Sequence, residues 1–111
     1  MAMVERANWR PAADLLSRTI RGQLARLEVA ALPTGDQIEA EWAPLLGVTY
    51  DPKDDLFEIQ LEGLDHLVRH PRSFAIRERG GLADSVSVLD DAGAEHIVTL
   101  REPIMLPPTP V

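Results

Sequence analysis

The sequence predicts an α+β fold: one N-terminal helix followed by a bent antiparallel sheet of about six or seven short strands, with a small barrel as its closed form. Three observations carry this. Apolar residues recur every three or four positions only near the N-terminus. After Gly22 the period falls to two, and turn residues then punctuate the chain at regular spacing.

The helix is predicted over 8–21. Trp9, Ala12, Ala13, Leu16 and Ile20 form one apolar face, Asn8 stands where an N-cap belongs, and Pro11 falls in the first turn, where its missing N–H costs little. Gly22 then lets the chain leave in a left-handed conformation. In 23–31 and 37–42, Leu27, Val29 and Ala31, then Ile38, Ala40 and Trp42, alternate with polar residues. The turn at 32–36 joins these two strands as a hairpin, and the alternation puts Trp42 on the core face. Pro44 and Gly47 mark a bend before a third strand at 48–50, whose Tyr50 also points inward. Asp51-Pro52-Lys53-Asp54-Asp55 has the composition of a type I turn leading to Phe57, Ile59 and Leu61. Residues 64–70 read as a short helical turn stopped by Pro71. Phe74 and Ile76 start another strand, which ends at Gly80-Gly81, and two closing strands flank the turn Asp90-Asp91-Ala92-Gly93. A single domain over 1–106 with an extended Pro-rich tail at 107–111 is expected.

With 111 residues, 45% hydrophobic and 26% charged, the chain has the composition of a globular domain able to bury a core. Cysteine is absent, which removes disulfides, thiolate metal sites and cysteine nucleophiles together. No apolar run approaches the roughly 20 residues of a membrane span, and the N-terminus lacks a secretory apolar core, so a cytoplasmic, membrane-free protein is expected. The net charge of −7 is unevenly placed. Residues 35–65 carry nine acids against Lys53 alone, whereas 66–80 carry four arginines against Glu78. This balance disfavours duplex nucleic acid, which draws on a broad basic face.

The block Gly35-Asp36-Gln37-Ile38-Glu39-Ala40-Glu41-Trp42, then Pro44 to Asp55, then Gly63-Leu64-Asp65-His66-Leu67 and His70-Pro71, resembles a family of short bacterial proteins of unknown function. Pro103-Ile104-Met105-Leu106-Pro107 is similar too, so the resemblance covers nearly the whole chain. It implies no substrate, cofactor or catalytic residue.

The residues themselves offer three functional readings. No Ser, His and Asp constellation, phosphate loop or nucleophile elbow is legible, so the leading reading is a non-catalytic accessory or protein-interaction domain. It acts through a sheet face or edge, with the acidic and basic segments meeting in a homodimer. The alternative is a metal-binding protein or metal-dependent enzyme using Asp65, His66 and His70, because two histidines four apart on a helix share a face. His96 is the candidate to join them. The third reading is anion or small-ligand binding at Arg69, Arg72, Arg77 and Arg79, or in a pocket of the curled sheet walled by Trp42 and Tyr50. No cofactor is expected. Asp51, Asp54 and Asp55 are read as turn-forming rather than cation-binding, since the loop lacks the glycine and distal glutamate of an EF-hand.

Overall fold

The computed structural model describes residues 2–33 and 35–105. The expected tail at 107–111 lies outside them. A two-residue strand, β1 (Ala2–Met3), and a 3-10 turn (Arg6–Asn8) precede the helix α1 (Trp9–Ile20). Seven strands follow: β2 (Leu24–Ala31), β3 (Gly35–Asp51), β4 (Leu56–Leu61), β5 (Leu64–Arg69), β6 (Pro71–Arg79), β7 (Leu82–Asp90) and β8 (Glu95–Ile104).

All pairings are antiparallel, in the order β1-β6-β7-β8-β2-β3-β4-β5. The sheet is two meanders, β2 to β5 and β6 to β8, joined by the ladder between β2 and β8. It does not close into a barrel. β5 and β6 are separated by His70 alone, yet they do not pair. His70 takes a left-handed φ of 53° and gives its N–H to the carbonyl of Asp55, which turns the chain away from β5.

The helix forms where the period predicts it, and its face of Trp9, Ala12, Ala13, Leu16 and Ile20 is buried. Asn8 occupies the N-cap position without making a side-chain cap; its φ of −104° and ψ of 2° continue the preceding 3-10 turn and depart from the extended backbone that such a cap uses. Four of the five aromatic residues form one cluster. Trp9 meets Tyr50 edge-on at 5.1 Å, Tyr50 lies 4.8 Å from Phe57, and Phe57 lies 4.9 Å from Phe74. This cluster ties α1, β3, β4 and β6 together, and such pairs contribute beyond the area they bury.

β3 departs most from expectation. Instead of two strands around a bend it is one strand of 17 residues, interrupted by bulges. Its first half pairs with β2 and its second half, along the other edge, with β4. Register shifts on both sides of the Leu27–Ala40 pair reverse the alternation. Ala40 stays inward opposite Leu27, whereas Ile38 pairs with outward Glu28. Trp42, expected in the core, has a φ of 52° and lies half-buried beside the outward guanidinium groups of Arg26 and Arg101.

The expected helical turn at 64–70 is also a strand. Leu61 pairs with Leu64 across a two-residue turn in which Gly63 has a φ of 83°, and pairing with β4 continues to Arg69. Pro71 opens β6, a position compatible with its missing N–H.

Where β2 ends, the exposed edge of β3 is taken over by the helix. The Ser17 hydroxyl donates to the Val48 carbonyl at 2.5 Å and accepts the Val48 N–H at 2.8 Å, both bonds being buried. Ser17→Ala leaves two buried backbone groups without partners, and urea unfolding is expected to show a loss of about 2–4 kcal/mol.

Candidate functional site

The strongest polar arrangement lies on the concave side of the sheet. Asp90 closes β7, and the turn after it folds back so that Asp90 Oδ1 accepts the N–H groups of Ala92 and Ala94 at 3.0 and 2.9 Å. Its other oxygen, Oδ2, lies 2.9 Å from His96 Nε2. His96 is 7% exposed, in the row of inward residues formed by Phe74, Val88 and Val29. Its Nδ1 lies 2.9 Å from Nε2 of His66, which reaches it from β5, four places away in the sheet.

This connectivity orders the protons. An ionised Asp90 can only accept, so His96 carries its proton on Nε2 and, when neutral, presents a lone pair at Nδ1. His66 then donates from Nε2 and leaves its own Nδ1 as the outer acceptor. Burial opposes ionisation of Asp90. The hydrogen bond from His96, the backbone N–H of Ala94, the His96 charge and the N–H of Ala92 together outweigh burial and hold the carboxyl below its ordinary value. His66 is shifted down by burial first and by the neighbouring His96 charge second, with Glu39 opposing weakly.

Asp65 and His70 do not join this group. A strand turns adjacent side chains to opposite faces, so Asp65 is exposed on the reverse of His66. There its carboxyl faces that of Glu58, and the preference of the pair to share a proton, then burial and the Asp65 charge, raise the Glu58 carboxyl above its ordinary value. His70 belongs to a second cluster, its Nδ1 3.8 Å from Asp55 Oδ2. Asp55 Oδ1 accepts from the Tyr50 hydroxyl at 2.7 Å and lies 3.3 Å from Arg6 Nη1. Arg6 also donates to the Pro71 carbonyl and stacks 4.2 Å over Trp9. The Tyr50 bond, working against burial and aided by Arg6 and His70, lowers the Asp55 carboxyl. Burial and Asp55 raise the Tyr50 hydroxyl. The φ values of 50° at Asp55 and 53° at His70 show what this cluster does: it locks the corner between the two meanders.

The four arginines are spread out. Arg69 ends β5, Arg72 and Arg77 are five residues apart on β6, roughly 17 Å along an extended strand, and Arg79 pairs with Asp84 at 3.8 Å. All four are exposed. Asp51 Oδ1 accepts the Lys53 N–H at 2.9 Å, in keeping with its turn role. Among the described residues no three His, Asp or Glu side chains converge in a metal-binding arrangement.

Of the chain that does form, only His66 was among the candidates chosen from sequence for a site, with His96 as its possible companion. Asp90 and His96 carried a local signal, since one ends β7 and the other is the second residue of β8, diagonal neighbours across the hairpin with His96 opposite Val88. The meeting of His66 with His96, 30 positions apart, depends on the curl of the whole sheet.

A pH dependence follows from His66. Its folded value lies below the ordinary 6.5, so the unfolded chain binds the proton more readily. The stabilisation is complete above about pH 6.5 and is lost as pH falls through the folded value. The melting temperature is expected to drop between pH 7.5 and 5.5, and His66→Gln is expected to flatten that slope; equal slopes in both proteins would contradict the assignment.

The relationships of the chain agree with the resemblance carried by its motif block. It is 39% identical over 105 residues to an uncharacterised protein of Aquifex aeolicus strain VF5, a match covering 94% of this chain and 95% of the relative. No solved structure matches. Residues 1–109 fit the model of a family of unknown function, DUF5335, and the chain belongs to that family.

Proposed function

We propose that the protein is a non-catalytic interaction module that pairs with a second copy of itself through sheet edges. The observation that carries this reading is the first half of β3. From Gly35 to Glu41 it is bonded to β2 along one edge only, because β4 begins its pairing at Leu45. Asp36, Ile38, Glu39 and Glu41 are exposed there, Ile38 at 52%, and Leu32 at the base of the preceding turn is fully exposed. A strand open along one edge, with an apolar residue at its middle, is a template for strand addition.

Charge supports a second copy as the occupant. The open segment bears three carboxylates, and at the far side of the sheet β6 presents Arg72, Arg77 and Arg79. β1 pairs with β6 at Ala75 and Ile76, and Val4 and Arg6 take the carbonyls of Phe74 and Pro71, so among the described residues the open part of that edge is the end bearing Arg77 and Arg79. In a two-fold arrangement the acidic edge of each protomer meets the basic edge of the other, so the contact forms twice.

Sedimentation velocity tests the reading. A dimer is expected at low salt that dissociates as salt screens the pairing. Glu39→Lys with Glu41→Lys should give a monomer, and adding Arg72→Glu and Arg77→Glu should restore association. A wild-type chain that stays monomeric at high concentration in low salt refutes it.

A further inference from the structure

We propose that His66 Nε2 and His96 Nδ1 form a binding site for a divalent transition-metal ion of the zinc, nickel or copper class, with Asp90 as its supporting carboxylate.

The first argument is the arrangement behind His96. A metal-binding imidazole characteristically gives its other N–H to a carboxylate, which fixes the tautomer and aims the lone pair. His96 has this support: Nε2 is 2.9 Å from Asp90 Oδ2, and Asp90 is itself held by two backbone N–H groups through Oδ1. The carboxylate cannot swing away, and the lone pair of Nδ1 is directed at His66.

The second argument is spacing. Two nitrogens on one tetrahedral ion, with bonds of about 2.0–2.1 Å, stand roughly 3.3 Å apart. His66 Nε2 and His96 Nδ1 are 2.9 Å apart. Replacing the shared proton by an ion therefore needs a few tenths of an ångström of separation and a turn of the rings, with no rearrangement of the strands. His66 moves its proton from Nε2 to Nδ1 through solvent, so both imidazoles bind in the neutral form and no net proton is released. Imidazole nitrogen suits zinc, copper and nickel, and excludes calcium and magnesium, which take oxygen.

The third argument is access. His96 is buried, but His66 is half-buried on β5, the edge strand, so an ion enters from the edge and keeps solvent in its remaining positions. Glu39, the acidic neighbour whose charge reaches His66, adds attraction for a cation. The ion would pin β5 to β8 from the concave side, linking strands that share no ladder.

The test uses the full chain purified without a histidine tag, stripped with chelator and titrated with zinc chloride in a calorimeter. One ion per chain and a rise in melting temperature are expected. His66→Gln and His96→Gln should each abolish binding, Asp90→Asn should weaken it by about 10- to 100-fold, and His70→Gln should leave it unchanged. Nitrogen-15 spectra should show the shifts of His66 Nε2 and His96 Nδ1 moving together on zinc addition. His66 stands on an edge, so its variant remains informative if His96→Gln fails to fold. Absence of binding by zinc, nickel and copper alike overturns the proposal. So does binding that survives His66→Gln or that is lost in His70→Gln.

Discussion

The architecture depends on β3 being shared. One strand of 17 residues hydrogen-bonds β2 with its first half and β4 with its second, on opposite edges, so each half has one edge left over. Backbone groups without partners are costly when buried. The second half lies under the helix, and there Ser17 supplies both missing bonds to Val48. The first half, apart from Ala40, lies outside the core, where solvent can satisfy the unpaired groups, and its residues from Gly35 to Glu39 are exposed on both faces. The docking of the helix and the open acidic edge are two resolutions of the same offset.

Two polar clusters then manage the opening that the incomplete sheet leaves. At the corner, Asp55 collects Tyr50, Arg6 and His70, and so connects the 3-10 turn, the core aromatic cluster and the junction between β5 and β6. Across the concave side, the chain from Asp90 through His96 to His66 links the edge strand to the opposite meander. Most of the interior is apolar, so these few polar contacts set which parts of the sheet face one another, while the packing of Phe57, Phe74 and their neighbours supplies the cohesion.

How much of this was legible in the sequence varies with the range of the interaction. The helix, the turn at Asp51 to Asp55 and the closing hairpin follow from neighbours within a few residues, and they form where the pattern puts them. The run from Leu64 to Arg69 is too short to separate a period of two from one of 3.6, and its partner strand β4 decides the matter. Trp42 was misplaced because simple alternation assumes an unbroken register, and two shifts beside Ala40 change its phase. For the candidate site, Asp90 beside His96 is a hairpin relationship open to local reading. The convergence of His66 on His96 is set by a curl accumulated over five strands, which no local pattern encodes.

The joining ladder between β2 and β8 also bears on the order in which the molecule assembles. Each meander is built from neighbours in the chain, so β2 to β5 and β6 to β8 can form from short loops. The ladder that unites them pairs Ala25 with Leu100, and β1 pairs Ala2 with Ile76. Contacts of such separation must pay a large loop-closure entropy before they contribute, and they make folding slow. During synthesis, β2 therefore waits with one edge unpaired until nearly the whole chain has emerged. The strand at the centre of the finished sheet is among the earliest to be made, and among the last to be fully enclosed.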